Sequence, residues 1–109
     1  AILAECVRQG LAARGLEYSA AGLARCRARG LDVARCDLES DVLAAPARPY
    51  DVVLSAEVAE HLPASVADRF VDVLASQGRV IVLTAATPGQ GGTDHVNEQP
   101  HAYWIAKLA

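Results

Sequence analysis

The chain has 109 residues, 52% of them hydrophobic and 21% charged, with a net charge of -3 and a pI near 5.5. Such a length supports one small domain with a real core, here residues 1–109, and the composition excludes disorder, a phosphate-tracking surface and a bilayer-spanning run, so neither a nucleic-acid nor a membrane partner is expected. Cys6, Cys26 and Cys36 are odd in number and contain no C-x-x-C pair, which speaks against a disulfide framework or structural zinc and for a reducing, cytoplasmic location.

The first apolar-periodic stretch, Ile2, Leu3, Cys6, Val7 and Leu11, reads as a helix whose first turn carries no Ser, Thr, Asp or Asn cap. A short strand ends at Tyr18–Ser19, and Ser19 then caps a second helix over Ala20 to Arg29, closed by Gly30. Leu31 to Cys36 reads as a strand, followed by a polar, proline-bearing stretch with one helical turn around Asp41 to Ala45. Tyr50 to Ser55 is a β-branched buried strand. Pro63 is placed for the first turn of a third helix whose stripe is Val66, Phe70, Val71 and Leu74. Arg79 to Ala85 follows as a strand, and its unbroken Val80-Ile81-Val82-Leu83 predicts burial on both faces. A long loop, Ala86 to Gln99, leads to a last helix opened by Pro100 and carrying Trp104, Ile105 and Leu108 on one side. Strands alternating with helices predict an α/β domain, Rossmann-like, with three αβα layers and a mainly parallel sheet.

The run Tyr50-Asp51-Val52-Val53-Leu54-Ser55-Ala56-Glu57-Val58-Ala59-Glu60-His61-Leu62-Pro63 delivers carboxylates and an imidazole at the carboxyl end of a buried strand, where open α/β sheets bind ligands. Its E-V-x-E-H-L-P portion, with the later G-Q-G-G-T-x-H-V-N-E-Q and a tryptophan-bearing helix, resembles class I S-adenosylmethionine-dependent methyltransferases, the loop resembling a bacterial subset. The resemblance covers nearly the whole chain. It implies that the four strands are the second to fifth of that fold, which is incomplete here because no first strand and no glycine-rich loop are found. An upstream segment, or a strand-completing partner, is the expected remedy for the unpaired strand edges.

The resemblance also implies a cofactor, S-adenosylmethionine, and residues for it. Glu17, with Tyr18 beside it, stands where an acidic side chain accepts both ribose hydroxyls, and one carboxylate can satisfy two donors. Asp37 suits the adenine amine and the backbone of Leu38 a ring nitrogen, although an aspartate after a strand also forms local turns. Ser55 and Glu57 stand beneath the methionine part. His61 and Glu57 are the catalytic candidates, His61 as a base for the proton that methyl transfer releases. His95, Asn97 and Gln99 border an acceptor pocket for a small molecule. Glu57, Glu60, His61 and His95 also match in type and order a metal-holding set of small-RNA 2′-O-methyltransferases. The E-x-x-E-H-L run is shared with metal-free members, however, so no metal is assigned.

The function implied is methyl transfer from S-adenosylmethionine to an unidentified acceptor. The alternative is a noncatalytic α/β fragment or interaction domain completed by another segment or chain. A dinucleotide-binding oxidoreductase would use the same strand-end acid but draws no support from E-V-x-E-H-L-P.

Overall fold

The computed structural model describes all 109 residues, Ala1–Ala109. They divide into two compact units, Ala1–Asp41 and Val42–Ala109. The architecture is α/β with parallel strands and intervening helices, that of a Rossmann-like partial domain. The strands are hydrogen-bonded as two separate two-stranded sheets.

The amino-terminal unit contains α1 (Ile2–Arg8), β1 (Gly15–Glu17), α2 (Ala20–Ala28) and β2 (Val33–Arg35). Strands β1 and β2 run parallel, with Gly15 opposite Val33 and Glu17 opposite Arg35. Gly10 (φ 81°) and Gly30 (φ 70°) follow the two helices in the left-handed conformation that glycine adopts at least cost. The Ser19 hydroxyl accepts the Gly22 N–H at 3.0 Å and caps α2 as its sequence position predicts. Leu23 and Cys36 form the buried core of the unit. Helix α1 is uncapped and buries no residue completely, and Leu11 falls outside it and is exposed, because the helix ends at Arg8. The turn expected around Asp41 to Ala45 lies earlier, over Asp37–Asp41. There the Asp37 carboxylate accepts the Glu39 N–H at 3.0 Å and the Asp41 carboxylate accepts the Asp37 N–H at 2.7 Å, so side chains rather than helix propensity fix its place.

The carboxy-terminal unit contains β3 (Tyr50–Ala56), α3 (Ala67–Gln77), β4 (Gly78–Thr84) and α4 (His101–Leu108). β3 and β4 are parallel, with Val53 opposite Ile81 and Ser55 opposite Leu83. α3 buries Ala67, Phe70, Val71 and Leu74, and Phe70 meets Trp104 of α4 edge to face at 6.1 Å between ring centroids. Pro63 opens a 3-10 turn over Ala64–Val66 instead of the helix itself, and α3 starts four residues later than its proline suggests.

The burial of β4 on both faces is not observed. Side chains alternate along a strand, so Ile81 and Leu83 face α4 and line with Trp104 and Leu108 a cavity of about 310 Å³. Val80 and Val82 point the other way together with Val52 and Leu54, and Val52 and Val80 are 56% and 55% exposed. An apolar run by itself cannot distinguish a strand covered on two faces from one covered on one. No helix is long and apolar enough to cross a membrane.

Candidate functional site

Strand β3 ends at Ala56, and the next residue, Glu57, has φ 54°, a left-handed conformation uncommon for a residue with a side chain. Its N–H is held by both the carbonyl and the hydroxyl oxygen of Thr84, each at 3.1 Å, which ties the turn to the end of β4. The chain then enters a 3-10 turn, Ala59–His61, that carries Glu60 fully inside and His61 at the surface. The Glu60 carbonyl accepts two N–H groups, from Val96 at 2.9 Å and Asn97 at 3.0 Å. Two bonds to one oxygen stitch the long loop after β4 onto the turn after β3.

That stitching brings side chains together. The rings of His61 and His95 meet edge to face with centroids 4.8 Å apart. Nδ1 of His61 lies 3.2 Å from the carbonyl oxygen of Asp94, a residue itself at φ 60°. A carbonyl only accepts, so this nitrogen carries the proton and Nε2 keeps its lone pair in the neutral ring. Nδ1 of His95 lies 2.9 Å from Glu98 Oε1, with the same consequence. Glu98 is fixed in turn by the N–H groups of Gly89 at 3.0 Å and Gly91 at 2.8 Å. The His95 bond is the main reason the Glu98 carboxyl lies below its ordinary range; burial opposes it, and the two backbone donors add to it. Gly92 leaves room for the His95 ring, since a Cβ there would stand 2.5 Å from it and the ring would have to shift.

Glu60 completes the group. Its Oε1 lies 4.0 Å from His95 Nε2, and neither carboxylate oxygen has a hydrogen-bond partner. One ligand atom each from Glu60, His61 and His95 lies within 4.8 Å of the others, and Glu57 is outside this group. Of the acceptor-side residues, Asn97 is buried and its Oδ1 accepts the Gln99 amide at 2.9 Å, while its own Nδ2 has no partner.

The remaining expected residues lie at strand ends. Glu17 is half-buried; its Oε1 accepts the Ser19 N–H at 2.9 Å, and its carboxylate occupies the space a side chain at Gly22 would need. Tyr18 is exposed beneath the Arg35 guanidinium, 5.4 Å from the ring centroid. Asp37 shapes the turn described above, with Leu38 half-buried inside it. Ser55 is buried at the end of β3 and its hydroxyl is unpartnered. At the end of β3 the orphaned Ser55 hydroxyl and the exposed Glu57 carboxylate two residues on are hydrogen-bonding groups whose chemistry suits the polar and ammonium groups of a cofactor such as S-adenosylmethionine.

The sequence marks His61 and His95, but not Glu98 as a support or Glu60 as a buried group. The N-E-Q run and the E-H pair were the available signals, and only folding of the loop shows that they meet.

The sequence pattern of the family described as Methionine biosynthesis protein MetW matches residues 2–86, which takes in nearly all of the amino-terminal unit and the carboxy-terminal unit through β4 and the Glu60–His61 turn, but not His95, Glu98 or α4. No curated protein and no solved structure matches the chain. With well over half of its residues matched, including the strand ends on which the expected ligand groups stand, the chain belongs to the MetW family, a methyltransferase-related family.

Proposed function

We propose that the chain serves methyl transfer from S-adenosylmethionine to a small-molecule acceptor. The observation that carries this reading is membership of a methyltransferase-related family whose matched residues include the polar turn after β3, with its buried, unpartnered Ser55 hydroxyl. The cofactor, when bound, supplies a methyl group on a positively charged sulfonium. Glu17 would accept ribose hydroxyls through the oxygen not given to Ser19, with Tyr18 alongside, and Asp37 and Leu38 would receive the adenine edge. Ser55 and Glu57 would hold the methionine part, the Glu57 carboxylate suiting its ammonium group. On the acceptor side His95, Asn97 and Gln99 would offer polar contacts, and His61 would take the acceptor proton on Nε2. The protein would act chiefly by holding the reacting groups in line.

Calorimetric titration with S-adenosylhomocysteine tests this, using the chain, a version extended upstream and the Glu17→Ala variant. Binding by either version that weakens severely in Glu17→Ala supports the reading. Binding by neither would sink it. His61→Ala should then slow methyl transfer more than it weakens cofactor binding, and the reverse pattern would remove it as the base.

A second reading has its own observation. The exposed apolar side of the β3–β4 sheet, Val52, Leu54, Val80 and Val82, and the separation of the strands into two sheets favour an interaction domain completed by another segment or chain.

A further inference from the structure

The turn after β3 contains a carboxylate that nothing in the protein satisfies. Glu60 is 0% exposed, and both of its oxygens lack a hydrogen-bond partner. Buried carboxylates are ordinarily paired, hydrogen-bonded or bound to a metal, because an isolated one loses its hydration without compensation. His95 makes no hydrogen bond to it, since 4.0 Å between Nε2 and Oε1 is too long for one and allows at most a loose ion pair when the ring is protonated.

Both imidazoles of the cluster are prepared in the same way. Nδ1 of His95 is held by the Glu98 carboxylate and Nδ1 of His61 by the Asp94 carbonyl, an arrangement that in the neutral ring puts the lone pair on Nε2. A carboxylate or carbonyl behind the far ring nitrogen is the usual support of a metal-ligating histidine. Glu98 is anchored by two backbone N–H groups and Gly92 leaves room for the ring, so the support extends a further layer into the loop.

We propose that Glu60, His61 and His95 form a binding site for a divalent transition-metal ion of the zinc class. Two imidazole nitrogens with a single carboxylate suit zinc, cobalt or nickel, whereas magnesium and calcium prefer oxygen-only sets. Ligand atoms now within 4.8 Å of one another would close to roughly 3 Å around such an ion, as tetrahedral or octahedral geometry at metal–ligand bonds of about 2.0–2.2 Å requires. Three protein ligands leave at least one position open, the arrangement of a site that also binds water or an acceptor oxygen. The inference rests on the cluster and not on the methyltransferase reading. One lone pair on Nε2 of His61 cannot serve an ion and an acceptor proton at once, so His61 would be either ligand or base at any moment.

Titration of the 109-residue chain with cobalt(II), read by its d–d absorption, tests the site directly. The expected result is one equivalent bound with a nitrogen–oxygen spectrum, no sulfur-to-cobalt charge-transfer band from Cys6, Cys26 or Cys36, and displacement by one equivalent of zinc(II). Glu98→Ala should weaken binding about 10–100-fold, as loss of an outer support does, and His95→Gln and Glu60→Gln should weaken it further. Glu60→Gln also removes a buried charge, so its fold, followed by circular dichroism, should persist. No cobalt bound, a sulfur band, or undiminished affinity in a folded Glu60→Gln would overturn the proposal. None of these results touches the S-adenosylhomocysteine titration, so the two readings fail separately.

Discussion

In the amino-terminal unit the carboxylates near strand ends are tied to their own turns, Glu17 to the Ser19 N–H, Asp37 to Glu39 and Asp41 to Asp37. In the carboxy-terminal unit Ser55 and Glu60 are buried with oxygens left over. The difference follows from core size. Strands of three residues and a core of Leu23 and Cys36 cannot exclude water from a polar group, whereas strands of seven residues backed by Phe70, Val71, Leu74 and Trp104 can. Unsatisfied polar atoms persist only where packing elsewhere offsets them, and such places are where ligand chemistry is found.

The largest test of that contrast is Phe70→Ala. Removing a fully buried ring that packs on Trp104 should cost about 3–5 kcal/mol in chemical denaturation followed by Trp104 fluorescence, and a loss under 1 kcal/mol would show that the core does not rest on it. Gly92→Ala comes next, since its Cβ would force the His95 ring aside. Crowding of this kind costs about 1–3 kcal/mol, and the His95 ring resonances should shift; unchanged resonances would mean that the loop yields freely.

Ser19→Ala should cost about 1 kcal/mol through loss of the α2 cap, seen as faster amide exchange in α2. The smallest effect belongs to Lys107, whose pKa is raised chiefly by its hydrogen bond to Asp68. A raised folded value means that the contribution is complete below the unfolded lysine pKa of about 10.4 and fades as pH rises through the folded one. Lys107→Met should therefore differ from the parent slightly at neutral pH and converge with it in strong alkali, as paired thermal melts would show. Exposure of Asp68 to solvent keeps the effect small.

The alternation of strands and helices was legible because periodicity, the Ser19 cap and the glycines at 10, 30 and 78 are local signals. Two features were not. The exposed side of β3–β4 depends on which elements cover the sheet, a tertiary matter invisible to an apolar run such as Val80–Leu83. The early turn at Asp37–Asp41 depends on two carboxylates choosing backbone partners. At the candidate site the residue types were readable, and the cluster was not, since it exists only because the Glu60 carbonyl captures Val96 and Asn97 across a long stretch of chain.

Gly78 follows α3 directly and pairs with Tyr50 at the first step of the β3–β4 ladder, where a Cβ would stand 2.7 Å from the Tyr50 carbonyl oxygen and 2.6 Å from Val53. A slip by one residue would put Arg79 in that space, so the position acts as a stop that admits a single alignment. Counting from it, Thr84 arrives opposite Ala56 and meets the Glu57 N–H at the far end. One absent methyl group at the start of a strand thus sets the height at which the turn bearing Glu60 and His61 leaves the sheet.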